Sequence, residues 1–501
     1  MTYRNPVIPG YFPDPSVCRF GDSYLLATSS FTYFPGVPLF RSSDLVHWTQ
    51  VGNVLSDPSH LDLSGTAPWV SLGIYAPTLR VHDGRLWMIT TNVTLGGAEN
   101  FLTTAEDPGG PWTKPIALDL PGIDPDIAWD DDGRCWVHDS VRGHIERAQI
   151  DPATGEILSA REVTWSGTGL QFPEAPHLFR RDGTWYLLVA EGGTEAGHAI
   201  SIARGPSPVG PWEGCPANPI LSHRSSDHPI QNTGHSDIIE AADGSWWMVL
   251  LGVRRRGATP GYHVLGRETF LTPIEWVDGW PVPAPLELEM PYDPPGSIAG
   301  SATSASASEF REDFDRPELG PEWVGMRRGP AAFSSLSERA GWLVIHAGEE
   351  TLDSPFPSLV ARRQQHLDCR VSVAVDPGSA AEAGLVVYMD ERSHYEVAVR
   401  GNEVIAQARI GDLSQVVGRA ERPGERCELF LSTKRGYFGP DSVTLGYGDQ
   451  SGSEVSLAKL DGRYLSTEVA GGFVGRTIGL YAVDGTAAWD WFDYSGTDGS
   501  R

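Results

Sequence analysis

The sequence predicts an all-β protein, a five-bladed β-propeller followed by a β-sandwich. Three observations point there: a β-rich motif that recurs five times before residue 291, a Ser/Ala/Gly-rich break after it, and period-two alternation in the remainder. A length of 501 residues already asks for more than one core, since single cores stop growing at about 250–300 residues.

The motif is a short apolar run interrupted by Asp-Gly, a hairpin signal because both residues tolerate left-handed backbone. Its copies are Val81-His-Asp83-Gly84-Arg-Leu-Trp87, Trp129-Asp-Asp-Asp132-Gly133-Arg-Cys-Trp136, Phe179-Arg-Arg-Asp182-Gly183-Thr-Trp-Tyr186 and Ala242-Asp243-Gly244-Ser-Trp-Trp247, with a looser Phe20-Gly-Asp22-Ser-Tyr24. The aspartates are 61, 49, 50 and 61 residues apart. A period of about 50 residues with several strands per unit marks a propeller. A second pattern runs alongside: Ser43-Asp44-Leu-Val-His-Trp48, Glu106-Asp-Pro-Gly-Gly-Pro-Trp112 and Pro206-Ser-Pro-Val-Gly-Pro-Trp212. It reads as the return to an outer strand, with each Trp packed between blades.

Eight residues before each turn aspartate stand Asp14, Tyr75, Asp124, Glu174 and His235, and proline follows closely in four of the five. Equivalent positions in a propeller form a ring around its axis. If these open the innermost strands, three acids, an aromatic and a histidine share one mouth of the channel. Converging carboxylates repel, and with partial burial this raises the pKa of at least one. Glycoside hydrolysis needs that division, one carboxyl protonated and one ionised. Taken singly, an aspartate before proline is a turn residue or cap; the shared repeat position favours chemistry. A metal-only site is the rival, but oxygen cages draw ligands from one loop, whereas these come from separate blades.

Composition bounds the partners. A net charge of -27 argues against nucleic acid, an anionic membrane surface or a polyanionic substrate, and leaves a neutral oligosaccharide. No apolar run is long enough to span a membrane. Five scattered cysteines (Cys18, Cys135, Cys215, Cys369, Cys427) without CxxC favour a reducing compartment, and no signal peptide is visible. A cytoplasmic location is expected, with secretion after removal of a signal left open. The 17 tryptophans suit sugar platforms and all-β cores equally well.

The expected organisation is a propeller over 1–291, a linker over 292–308 and a sandwich over 309–501. The linker is Ser/Ala/Gly-rich. Beyond it, Leu385-Val-Val-Tyr-Met, Tyr395-Glu-Val-Ala-Val, Val404-Ile-Ala-Gln-Ala and Glu428-Leu-Phe-Leu alternate as strands, and Trp489-Asp-Trp-Phe-Asp-Tyr494 reads as a closing strand.

The ordered stretches Asn5-Pro-Val-Ile-Pro-Gly-Tyr-Phe-Pro-Asp14-Pro-Ser, Ser30-Phe31-Thr-Tyr-Phe-Pro-Gly36, Gly73-Ile-Tyr75-Ala76-Pro77, Gly122-Ile-Asp124-Pro, Pro173-Glu174-Ala-Pro-His177, Thr233-Gly-His235 and Leu265-Gly-Arg267-Glu-Thr-Phe270 resemble family 43 of the glycoside hydrolases, the β-xylosidases and α-L-arabinofuranosidases. The resemblance implies Asp14 as general base, Glu174 as general acid and Asp124 as the residue that orients the acid and keeps its pKa high. It implies Arg267 beside the sugar, and Phe31, Tyr75 and Ala76 at the pocket wall, Tyr75 standing where the family more often has Trp. Glu191 and His198 are further pocket candidates. In some members the histidine matched by His235 helps hold a cation, often calcium; a structural role for it stands equally open, and the chemistry requires no cofactor. The implied reaction is single-step inversion by an exo-acting enzyme releasing one pentose, with acid and base roughly 6.5–9.5 Å apart. The C-terminal half resembles the concanavalin-like jelly roll that packs on such propellers. The alternatives are a non-catalytic sugar-binding propeller and a retaining fructan hydrolase.

Overall fold

The structure, a computed structural model, describes residues 2–295 and 308–498. Most of the expected linker, 296–307, lies outside the described residues. Five antiparallel sheets fill the N-terminal part. Blade 1 comprises Ser16–Phe20, Ser23–Ala27, Gly36–Ser42 and Thr49–Leu55; blade 2 comprises Thr78–His82, Arg85–Thr94, Gly97–Ala105 and Ile116–Leu118. Blade 3 follows with Ile123–Trp129, Cys135–Val141, His144–Ile150 and Glu162–Trp165, and blade 4 with Glu174–Arg181, Thr184–Glu191, Ala199–Gly205 and Glu213–Gly214. Blade 5 holds Ile230–Glu240, Trp246–Arg254, Glu268–Val277 and Trp280–Pro283.

The Asp-Gly motifs join the first and second strands of their blades. In blades 2 and 4 both turn residues are left-handed, with φ 50° and 74° at Asp83-Gly84 and 49° and 82° at Asp182-Gly183. Tight hairpins demand that backbone, which explains why the repeat shows in the sequence. The interblade tryptophans also sit as expected. Trp48 packs with apolar residues of blades 5 and 1, Trp112 with blades 1 and 2, and Trp212 with blades 3 and 4. Among the described tryptophans only Trp69 is strongly exposed, so the core accounts for most of them.

One residue ties all five blades at the axis. Arg80 of blade 2 donates to Asp237 of blade 5 at 2.9 Å and to Ser16 of blade 1 at 3.4 Å. It pairs with Asp126 of blade 3 at 3.0 Å and meets Nδ1 of His177 of blade 4 at 3.0 Å. An arginine has only donors, so His177 accepts and is neutral; burial pushes its pKa down to about 3. The N-terminal segment closes the ring over blade 5. Tyr3–Arg4 pairs with Glu289–Met290, and the Asn5 amide bonds the Leu271 and Glu287 carbonyls.

The C-terminal part is two stacked sheets. One runs through Ser358–Arg363, Thr477–Val483, Glu382–Asp390, Ser393–Arg400, Glu403–Ile410 and Leu413–Glu421. The other holds Leu343–Ala347, Gly485–Thr497, Asp368–Asp376, Cys427–Arg435, Asp441–Gly448 and Glu454–Asp461, with Glu309–Glu312 paired to Gly485–Thr497. The expected closing strand is therefore last in sequence but central in its sheet.

The two parts share a core. Tyr11, Phe31, Tyr33 and Val70 of the propeller belong to one apolar cluster with Trp323, Met326 and the inner faces of the sandwich. Gly325–Met326 pairs with Tyr33–Phe34, and Arg327 N–H bonds the Thr32 carbonyl at 2.7 Å. The sandwich thus holds the very loop that carries Phe31.

Candidate active site

Asp124, Glu174 and His235 reach the hub from irregular inner strands, whereas Asp14 stands just before the regular strand Ser16–Phe20. Pairing along Ile123–Trp129 skips between Ile123 and Asp126, along Glu174–Arg181 between Glu174 and His177, and along Ile230–Glu240 on both sides of Gly234. Such bulges bend a strand and re-aim its side chains. Asp14, Asp124 and His235 are themselves left-handed, with φ 58°, 53° and 39°, a conformation Asp and His accept more readily than most residues. In blade 4 the left-handed residue is Ala175, φ 53°. Glu174 enters one position earlier, with a side chain one methylene longer.

Asp14 is buried and fully engaged. Arg267 donates from Nη1 to its Oδ1 at 2.9 Å, and Ser29 donates to its Oδ2 at 2.5 Å. Burial, the largest influence, would raise its pKa, but Arg267 and the Ser29 hydroxyl outweigh it and hold the carboxyl below its ordinary value. His235 lies with Nδ1 3.5 Å from Asp14. Burial lowers the pKa of His235, so it stands there as a neutral ring rather than an ion-pair partner.

Asp124 and Glu174 shift the other way. Burial raises Asp124 well above its usual value, and the charges of Glu174 and Asp14 add to it. Glu174 is pushed up to about 7 by burial and then by Asp14, with Arg267 opposing. Neighbouring carboxylates of this kind lose their protons as a pair. Asp124 is buried and accepts the Ala76 N–H, a bond that favours its charged form. Glu174 is only partly buried. Glu174 is thus the member able to hand a proton on.

The walls are aromatic. Phe31 and Tyr75 lie 5.3 Å apart between ring centres, and burial followed by the Asp124 charge pushes the Tyr75 hydroxyl up to about 12, so it stays protonated. Ala76 is buried, and its N–H is spent on Asp124. Glu191 is fully buried and holds Thr168 through its N–H at 2.7 Å and its hydroxyl at 2.6 Å. His198 lies beneath Gly234, where a Cβ would come within 2.3 Å of three ring atoms, and faces the Asn232 carbonyl at 3.0 Å. Both support the site from behind.

Sequence reasoning missed three contributors. Thr194 accepts Arg267 at 3.0 Å and Ser29 orients Asp14; hydroxyls leave no signal of their own. Phe473 comes from the sandwich. It stacks 6.0 Å from Phe31 and 6.1 Å from Tyr75, with the Arg267 guanidinium 5.5 Å from its ring. Its Gly471-Gly472-Phe473 turn is required, because a Cβ on Gly472 would stand 2.3 Å from the Ser71 hydroxyl. That hydroxyl accepts the Phe473 N–H at 2.9 Å. A cleft of about 1530 Å³ elsewhere, lined by Pro9, Phe12, Arg254 and Arg363, contains none of the three acids.

For a cation of the kind that some family members hold at the histidine matched by His235, the residues offer little. Its Nε2 is buried without a partner. The adjacent carboxylates, Asp14 and Asp237, are taken by Arg267 and Arg80. Among the described residues no three His, Cys, Asp or Glu side chains form a ligand group. Calcium takes six to eight oxygens, so this donor set does not fit it.

Comparison with known proteins agrees with this geometry. The profile of glycosyl hydrolases family 43 matches residues 3–281, and that of the β-xylosidase C-terminal concanavalin A-like domain matches 311–495. A xylosidase/arabinosidase of Butyrivibrio fibrisolvens is 36% identical, over 98% of both chains. A non-reducing end α-L-arabinofuranosidase of Bacteroides ovatus is 35% identical over 98% of this chain and 94% of its own. Among solved structures, a xylan β-1,4-xylosidase of Bacillus halodurans superposes with a TM-score of 0.87 at 31% identity, covering 98% of this chain and all of its own. The hub of acids therefore sits in a glycosidase, and the chain belongs to family 43 of the glycosyl hydrolases.

Proposed function

We propose that the protein removes a single pentose, β-D-xylose or α-L-arabinofuranose, from the end of a neutral oligosaccharide, with inversion at the anomeric carbon. The observation that carries this reading is the split between two carboxyls of one pocket, Asp14 held ionised by Arg267 and Glu174 held protonated up to about pH 7. The sugar lies among Phe31, Tyr75 and Phe473, whose rings close one side and suit a chain end. Asp14 takes a proton from water as that water attacks the anomeric carbon. The glycosidic bond breaks, and Glu174 gives its proton to the departing oxygen. Burial and the Asp14 charge keep Glu174 from ionising early, and Asp124 stands beside it. No cation enters this sequence. Three acids and a net charge of -27 disfavour anionic sugars.

Kinetics on 4-nitrophenyl β-D-xylopyranoside and 4-nitrophenyl α-L-arabinofuranoside, with the fresh product followed by proton NMR, test the proposal. Turnover of at least one substrate with the inverted anomer appearing first is expected. No turnover of either, or a retained anomer, would overturn it.

A further inference from the structure

Phe172 has φ 50° and precedes Pro173. Both conditions oppose each other, since Cβ crowds the carbonyl in left-handed backbone and a following proline drives a residue toward extended backbone. The same combination occurs at Asp14-Pro15, Asp124-Pro125 and Ala175-Pro176 at the hub mouth, and at Val37-Pro38, where Val37 is buried in an apolar cluster. Strain of this kind persists where surrounding structure enforces it, and it clusters at functional sites. Two other phenylalanines are left-handed: Phe31 is a pocket wall, and Phe314 is 1% exposed in the core. Phe172 is 59% exposed and joins none of the buried apolar clusters. Most of its surface is therefore left outside the core.

The segment is nevertheless held firmly. The Gln171 carbonyl accepts Gly192 N–H at 2.6 Å, and the Pro173 carbonyl accepts the Ser140 hydroxyl at 2.8 Å. Thr168 is fastened to buried Glu191. A rigid, exposed ring therefore stands two residues before Glu174, and two residues span at most about 7 Å. That is the reach of one sugar ring beyond the oxygen that Glu174 protonates. Phe31, Tyr75, Phe473 and Arg267 pack against one another in a cluster of their own.

We infer that Phe172 is the platform for the leaving sugar, a neutral pyranose that lays its C–H face on the exposed ring. This rests on the reading of Glu174 as the acid. The test compares two substrates of the pentose the enzyme prefers, a disaccharide and a methyl pentoside. Both need the proton of Glu174, but only the disaccharide has a leaving sugar ring. F172A should lose about tenfold in kcat/KM on the disaccharide and stay within twofold on the methyl pentoside, and F172W should restore the disaccharide rate. Equal losses on both substrates would mean that the residue merely positions Glu174, and no loss on the disaccharide would mean that no sugar rests there; either overturns the platform alone. If the unmodified protein cleaves neither substrate, the functional reading falls and takes this inference with it.

Discussion

At the scale of the residue, one environment produces two opposite carboxyls. Asp14 and Glu174 are both desolvated, but only Asp14 receives a charged donor and a hydroxyl on its two oxygens. Charge-assisted bonds of this kind outweigh burial. The assignment of roles predicts how substitutions depend on the leaving group. E174Q should lose about 10³-fold or more in kcat/KM on a disaccharide and much less on a dinitrophenyl pentoside, which departs with little protonation. Steady-state kinetics on the two substrates check it, and equal losses would count against Glu174 as acid. The three acids were legible because Asp14, Asp124 and Glu174 share a repeat position. Ser29 and Thr194 were not, since a hydroxyl acts only through where the fold places it.

At the scale of the element, bulges and loops supply the precision. The inner strands of blades 3, 4 and 5 break register where they meet the channel. The Gly471-Gly472-Phe473 turn shows the limit of local reading. It lies about two hundred residues from Arg267 in sequence yet packs against it. Nothing in a single chain marks such a contact. F473A should raise KM for a pentoside several-fold, through about 1 kcal/mol or more of lost contact, while the pH profile keeps its shape; kinetics across pH read both. Arg80 is the corresponding clamp below the mouth. R80M leaves Asp126 and Asp237 buried without their partner and should cost about 3–5 kcal/mol, measured by urea denaturation.

At the scale of the whole molecule, the period of the turns made the propeller visible and alternation made the sandwich visible, because both patterns are local. The shared core of Tyr11, Phe31 and Tyr33 with the sandwich was not visible, because it joins distant segments. The sandwich also carries its own pH dependence. Glu396 is buried beside Glu382, and burial followed by that charge pushes its pKa up to about 8 from 4.5. The folded state therefore binds a proton that the unfolded chain has lost, so this stabilisation is lost as pH rises from about 4.5 through 8. Melting temperature should fall over that window, and less in E396Q than in the parent. The central claim is that separate blades bring their acids close enough to share charge. The titration of the Glu174 carboxyl, followed by carbon NMR in the parent and in D14N, measures this most directly. In the parent it should ionise at about 7, and the midpoint should move down by about one unit or more when the Asp14 charge is removed. A midpoint that stays in place would mean that the two carboxyls do not feel each other.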